Sequence, residues 1–245
     1  MRAVLITGAC GGVGRATTAL FRSAGWLTVG LDRREPADAL DVDHFVQVDM
    51  AREDLGREID AAVSRIGRLD ALVNNAATQI EKRLVDTAVP EWDKVLATNL
   101  RGPFLATQAA CPALRRSRGA IVNVSSVHAL ATSAGLAAYA ASKGGLAAFT
   151  RAAALELAPE VRVNAVLPGA VDTPMLRAGL ARWAAPNDVD SALQQVASRT
   201  PLARVGEPSE IAQVILFLAD GERSSFITGQ TIVADGGVTA RLSSE

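Results

Sequence analysis

An apolar run, Ala3 to Thr7, breaks into a glycine-rich turn carrying Gly8, Gly11, Gly12 and Gly14. The chain then resumes with helical periodicity from Val13 to Ser23 and stops at Gly25. A strand, a glycine turn and a helix in immediate succession favour a parallel α/β fold. The glycines let the backbone approach a ligand closely, and the first amides of the helix face an anion such as a pyrophosphate. The spacing, Thr-Gly-x-x-x-Gly-x-Gly, departs from the general Gly-x-Gly-x-x-Gly dinucleotide fingerprint. Gly8, Gly11, Gly12, Val13 and Gly14 are the candidate phosphate cradle.

The rest of the chain continues the alternation. Trp26 to Leu31 reads as a second strand with Asp32 at its end, where a carboxylate accepts from both adenine-ribose hydroxyls and repels a 2′-phosphate. Arg33 and Arg34 pull the other way, toward such a phosphate. The balance predicts NAD, with NADP as the alternative, and makes Asp32 and Arg33 candidate cofactor contacts. His44 to Val48 is a third strand ending in Asp49-Met50; Asp49 meets the adenine edge or caps a helix from Arg52 to Ile66. Leu69 to Val73 is a fourth, running into Asn74-Asn75-Ala76-Ala77, small polar residues that let the backbone lie against a ribose. Glu91 to Arg116 is a long helical stretch with a local irregularity at Gly102 and Pro103. Ala120 to Val124 is a fifth strand that delivers Ser125 and Ser126 to its carboxyl end. Ala137 to Leu157 is an Ala- and Leu-rich helix. Val161 to Leu167 leads to Pro168-Gly169, followed by an irregular segment to about Pro208, a helix from Ile211 to Ala219 and a last strand from Thr231 to Ala234. This order predicts a Rossmann-type, doubly wound parallel sheet of about seven strands with helices on both faces and right-handed crossovers. One domain spans residues 1–245.

Charge narrows the partners. With 25 basic and 26 acidic residues the chain carries a formal charge of −1, which argues against nucleic acid or an anionic membrane as the main partner. The apolar run Val214 to Ala219 is far too short for a membrane span, and no secretory leader is evident at the N-terminus. Cys10 and Cys111 stand far apart, in no metal-ligand spacing, which fits reduced thiols in a cytoplasmic protein and predicts no metal.

The chemistry falls between Ser126 and Lys143. Tyr139, the only tyrosine of the chain, and Lys143 lie four apart on the predicted helix and therefore on one face. A phenol titrates near ~10. A cation about 5 Å away, at an effective dielectric near 20, favours the phenolate by roughly 3 kcal/mol, enough to bring a tyrosine toward duty as a general acid/base. A bare Tyr-x-x-x-Lys is usually an ordinary amphipathic pairing, so context must carry the reading. Ser126 at a strand's carboxyl end supplies part of it, because ligands of open parallel sheets bind there. His128 follows closely as a candidate substrate contact.

These motifs together resemble one family, the short-chain dehydrogenase/reductases, from Thr7 to Gly237. Thr7-Gly8-Ala9-Cys10-Gly11-Gly12-Val13-Gly14 resembles its glycine loop, and Asn74-Asn75-Ala76-Ala77 its Asn-Asn-Ala-Gly element, with Ala77 in place of the glycine. Ser126, Tyr139 and Lys143 match its catalytic Ser, Tyr and Lys, and Asn99 the fourth member of that set. Arg162 to Gly169 and the stretch through Val171 to Thr173-Pro174-Met175 resemble the segment flanking the nicotinamide. The resemblance implies that Asp49, Met50, Asn75, Ala76, Tyr139, Lys143, Pro168, Gly169, Val171 and Thr173 join the cradle in holding NAD. It implies that Ser126 holds the substrate oxygen, Tyr139 moves the proton, Lys143 tunes the phenol and holds ribose, and Asn99 supports a water leading to solvent. It makes residues 175–204 a substrate lid, with Leu176, Leu180 and Trp183 at helical spacing. His128, Ser133, Ala170 and Trp183 then shape specificity for a small alcohol or ketone: a sugar, polyol, cyclic alcohol or dihydrodiol. A steroid or 3-oxoacyl chain is the alternative substrate, and a catalytically idle NAD sensor or a lyase on the same fold is the rival class. The alanines of the Tyr139 helix and the helix carrying Asn99 imply a homotetramer.

Overall fold

The computed structural model describes residues 1–182 and 188–241. Seven parallel strands form one sheet in the order β3-β2-β1-β4-β5-β6-β7. They are β1 (Ala3–Thr7), β2 (Leu27–Asp32), β3 (His44–Gln47), β4 (Ala71–Asn74), β5 (Ala120–Val124), β6 (Arg162–Pro168) and β7 (Thr231–Ala234). The helices are α1 (Gly12–Ser23), α2 (Leu55–Ile66), α3 (Val89–Leu96), α4 (Gly102–Ser117), α5 (Ala137–Leu157), α6 (Pro174–Leu180), α7 (Val189–Arg199), α8 (Pro208–Ala219) and the short α9 (Gly221–Ser224).

The central strands are continuous apolar runs because both their faces are buried. Side chains nevertheless alternate: Leu5, Leu72, Ile121 and Val163 pack toward α2, α4 and α5, while Val4, Ile6, Val73, Val122 and Val166 pack toward Phe21 of α1 and Ile211, Ile215 and Leu218 of α8. The order of connection reverses beside β1, whose neighbours are β2 and β4. That reversal opens a crevice at the strand carboxyl ends, the usual ligand site of such sheets.

Several boundaries differ from the sequence reading. Trp26 lies outside β2; it packs edge-on against Phe21 at 5.1 Å and carries the Arg2 guanidinium over its ring at 4.5 Å. The second helix starts at Leu55, not Arg52. The long stretch from Glu91 is two helices joined by a π-helical turn, Ala97–Arg101. Among the described residues, the segment after Pro168 carries two helices, α6 and α7, in place of the expected irregular run. Thr173 caps α6 by accepting from the Leu176 amide at 3.2 Å, with Pro174 at the first helical position. Pro208, together with Glu210 accepting from the Glu207 amide at 2.8 Å, starts α8 three residues early.

Candidate active site

A cleft of about 730 Å³ runs along the carboxyl ends of the strands. At one end lies the glycine loop. Gly8 has φ +68, and a Cβ there would stand 2.7 Å from the Ala76 backbone; a Cβ on Gly14 would stand 2.1 Å from the Gly8 carbonyl. Only glycine permits this packing of turn, helix and neighbouring strand. Gly11 caps α1, whose first turn holds no acidic residue, so its positive end and free amides remain open to an anion. Gly8, Gly11, Gly12, Val13 and Gly14 all line the cleft, and this cradle fits a dinucleotide pyrophosphate.

Asp32 is buried at the end of β2 and lines the same cleft. Its carboxylate accepts from the Cys10 amide and the Arg34 amide, each at 3.0 Å. The Arg34 guanidinium lies 3.5 Å from it while its side chain stays largely exposed. Arg33 also borders the cleft. Asp49 lines the cleft but caps no helix, because α2 begins too late; its carboxylate closes a turn by accepting from the Ala51 amide at 2.9 Å. Met50, buried in the core, reaches the cleft from beside it.

The end of β4 is pegged to β1. Thr7 Oγ1 accepts from the amides of Asn75 and Ala76 at 3.0 Å, and Asn75 Nδ2 donates to the carbonyls of Thr7 at 2.9 Å and Gly8 at 3.1 Å. Ala77 takes no left-handed backbone, so its methyl group is tolerated where the family pattern has glycine. Pro168, Gly169, Val171 and Thr173 close the opposite wall.

The middle of the cleft is built by β5 and α5. Three successive residues of the β5 end hold the first turns of the helix. Val124 accepts from Lys143 Nζ at 2.7 Å, Ser125 Oγ donates to the Lys143 carbonyl at 2.8 Å, and the Ser126 hydroxyl lies near enough to the Tyr139 phenol to favour its ionised form. Further along, Asn123 Nδ2 donates to Thr150 Oγ1 at 2.9 Å. The sequence reading brings Ser126, Tyr139 and Lys143 together, and the structure places them so. It differs on electrostatics. Both partners are buried, so burial pushes the Tyr139 phenol up, opposed only by Ser126, and draws Lys143 down to about 7. Removing water disfavours both charged forms, and this outweighs the expected lowering of the phenol by the lysine.

Asn99 sits in the π turn and does not border the cleft, although Thr98 does. Its side chain is fully engaged. Oδ1 accepts from the Thr78 amide at 2.8 Å, and Nδ2 donates to the Thr78 carbonyl at 2.8 Å and to Ser142 Oγ at 3.0 Å. Ser142 in turn donates to the Tyr139 carbonyl at 2.7 Å. The turn has a local cause. Pro103 has no amide hydrogen for the carbonyl four residues before it, that of Asn99, and the Gly102 amide bonds instead to Ala97, five residues back. The main-chain carbonyl of Asn99 is thereby without its α-helical partner.

At the far end, His128, Ser133 and Ala170 line the cleft with Met175, Leu176 and Leu180 of α6. The His128 ring stands edge-on to Tyr139 at 5.7 Å and bonds Thr132 Oγ1 at 2.9 Å; burial lowers its pKa, so it is neutral at pH 7. Trp183 lies outside the described residues. Sequence reasoning missed Ser125, Ser142 and Thr78, which hold catalytic candidates through hydrogen bonds, and Gln79, Glu81 and Arg182, which line this end. A Ser-Ser pair at a strand end offered a signal for Ser125, and Ser142 stands inside the Tyr-x-x-x-Lys run; the others lie in no motif.

The profile of the family described as enoyl-(acyl carrier protein) reductase matches residues 8–239. The chain is 41% identical over 246 residues to the 3-oxoacyl-(acyl-carrier-protein) reductase of Thermotoga maritima, covering 96% of each chain. It is 40% identical over 200 residues to the cyclopentanol dehydrogenase of a Comamonas species, covering 80% of this chain and 77% of that one. The ligand-free structure of Thermoplasma acidophilum aldohexose dehydrogenase superimposes with a TM-score of 0.94 at 33% identity, covering 99% of this chain and 95% of that one.

Proposed function

The chain belongs to the short-chain dehydrogenase/reductase family, oxidoreductases that act on CH–OH groups through a nicotinamide cofactor, and we propose that it oxidises a secondary alcohol with NAD. The observation that carries this reading is the cleft itself, which joins a buried carboxylate at one end, Asp32, to a hydroxyl-phenol-amine set in the middle, Ser126, Tyr139 and Lys143. An alcohol bearing a ring or several hydroxyls, such as a sugar, polyol, cyclic alcohol or dihydrodiol, suits the mixed surface of His128, Ser133, Ala170 and Leu180.

The cofactor, when bound, supplies the hydride acceptor. The chain does the rest. Gly8, Gly11, Gly12, Val13 and Gly14 hold the pyrophosphate; Asp32, Arg33, Asp49 and Met50 hold the adenosine; Asn75, Ala76, Pro168, Gly169, Val171 and Thr173 flank the nicotinamide riboside. Ser126 donates to the substrate oxygen and fixes it beside the phenol. Tyr139, once ionised, takes the hydroxyl proton. Lys143 holds the riboside and stabilises the phenolate, and the Asn99 carbonyl holds a water that carries the proton outward. Orientation and charge placement are the protein's contribution.

Cofactor choice follows from charge. Asp32 presents a carboxylate where a 2′-phosphate would fall, and the neighbouring cation Arg34 is paired with it. Two free thiols, Cys10 and Cys111, suit a reducing cytoplasm, and among the described residues no helix is long and apolar enough to cross a membrane. The chain assembles as a homotetramer. Ala141, Gly144, Ala148, Ala152 and Leu155 form an outward stripe on α5, beside a groove lined by Leu96, Leu100, Phe104 and Phe149. Titrating NAD and NADP against tryptophan fluorescence, followed by turnover of cyclic alcohols and sugars, tests the proposal. Tighter NADP binding reverses the cofactor assignment, and absence of binding by either removes the enzyme reading.

A further inference from the structure

Glu81 and Arg182 stand at the substrate end of the cleft, outside the cofactor cradle and the Ser126-Tyr139-Lys143 set. They approach to 3.5 Å, with side chains 33% and 47% exposed. Arg177, on the neighbouring helix α6, shows what a satisfied guanidinium looks like. It donates to both oxygens of Asp172 at 2.6 and 2.8 Å and to Asp190 at 3.0 Å. Among the described residues the Glu81 and Arg182 side chains make no hydrogen bond at all, and 3.5 Å is long for a charge-assisted pair. A half-exposed pair at that distance adds little stability. Both side chains line the cleft, and a carboxylate brings acceptors there while a guanidinium brings donors.

The carboxylate is nevertheless held on a rigid support. Its loop is tied down on both sides of Glu81. Thr78 exchanges two bonds with Asn99 at 2.8 Å. Next to Glu81, the Lys82 amide donates to the Gly135 carbonyl at 2.9 Å, and Lys82 Nζ bonds Glu91 at 2.9 and 3.0 Å. Gly135 belongs to the turn that leads into the Tyr139 helix, and the Glu81 side chain lies against it. Arg182 reaches across from the end of the lid helix.

We infer that Glu81 and Arg182 form a polar subsite that selects substrates carrying a second hydroxyl beyond the reacting carbinol. A hydroxyl is both donor and acceptor, so it donates to the carboxylate and accepts from the guanidinium at once. An anionic substituent is attracted by Arg182 and repelled by Glu81, so it gains little from the pair. A plain hydrocarbon ring or acyl chain strips water from both groups and returns no bond, which a site built to hydrogen-bond its substrate penalises. The inference rests on the proposed alcohol oxidation and names its substrate class as polyhydroxylated.

The test is the ratio of kcat/KM for cis- and trans-1,2-, 1,3- and 1,4-cyclohexanediol to that for cyclohexanol, in the 245-residue chain with NAD and with NADP. The best diol is expected to exceed cyclohexanol by about tenfold or more. Glu81→Ala and Arg182→Ala, both at half-exposed positions that the core does not need, are expected to lose far more on the diol than on cyclohexanol. A wild-type ratio near one overturns the subsite while the dehydrogenase reading stands. Equal losses on both alcohols make the pair a latch for the lid and also overturn it. Turnover of none of these alcohols, nor of cyclohexanone in reverse, removes the dehydrogenase reading and the subsite with it.

Discussion

Lys143 Nζ donates to the main-chain carbonyl of Val124 across 2.7 Å, at a position where the lysine is 2% exposed. Among the described residues it has no carboxylate partner, so burying its charge costs stability. Burial lowers its pKa from 10.5 to about 7. Between those values the unfolded chain holds a proton that the folded chain has released, so stability rises with pH across that window; below about 7 the penalty of the buried charge is present in full. Lys143→Met should abolish turnover and flatten the stability profile by up to about 1.4 kcal/mol per pH unit relative to the parent. Denaturant melts at a series of pH values check this, and parallel profiles would contradict it.

Tyr139 is the only tyrosine, so its ionisation can be followed in the ultraviolet without interference. In the cofactor-free protein burial should place the midpoint above the ordinary value of 10.0. Tyr139→Phe should erase the transition and lower kcat by about 10²–10⁴-fold while NAD still binds. A midpoint near neutrality would show that the lysine outweighs burial after all.

Pro103→Ala returns an amide hydrogen to the residue four beyond Asn99, and an α-helical bond then competes with the π turn. We expect kcat to fall about tenfold or more, as expected for a displaced catalytic geometry, with the melting temperature unchanged or raised. Kinetics and thermal melts on the same sample measure both; a large loss of stability would place the proline in packing instead.

Asp32→Ser should shift preference toward NADP, since it removes the carboxylate proposed to meet the 2′ position and unpairs Arg34. It also leaves the Cys10 and Arg34 amides with a weaker acceptor, so affinity for NAD should fall as well. Fluorescence titrations with both cofactors check the ratio. An unchanged ratio would mean that the discrimination lies elsewhere.

Ala148→Glu places a charge in the outward stripe of α5, where the residue is exposed. Light scattering should show the parent as a tetramer and the variant as a smaller species with the same far-ultraviolet spectrum. A monomeric parent would refute the assembly.

Much of this was legible because it is local. β1, β5, β7 and α5 begin and end where hydrophobic runs, glycines and alanines place them, and the glycine loop announces its strand and helix. Asn99 was harder. Gly102 and Pro103 advertise an irregularity, but the break falls at Ala97–Arg101 because a missing amide is felt four residues upstream. Within 174–199 the helical spacing of Leu176 and Leu180 marked α6, whereas α7, with only Ala192 buried, carries no apolar stripe that sets it apart from a loop.

The sequence by itself determined the doubly wound fold and singled out the glycine loop and Ser126, Tyr139 and Lys143 as candidates, since each depends on residues near one another in the chain or on strand order. Tertiary structure alone decided the protonation balance, the engagement of Asn99 with Thr78 and Ser142, and the meeting of Glu81 with Arg182. Desolvation and long-range pairing arise only when distant segments exclude water from the same space.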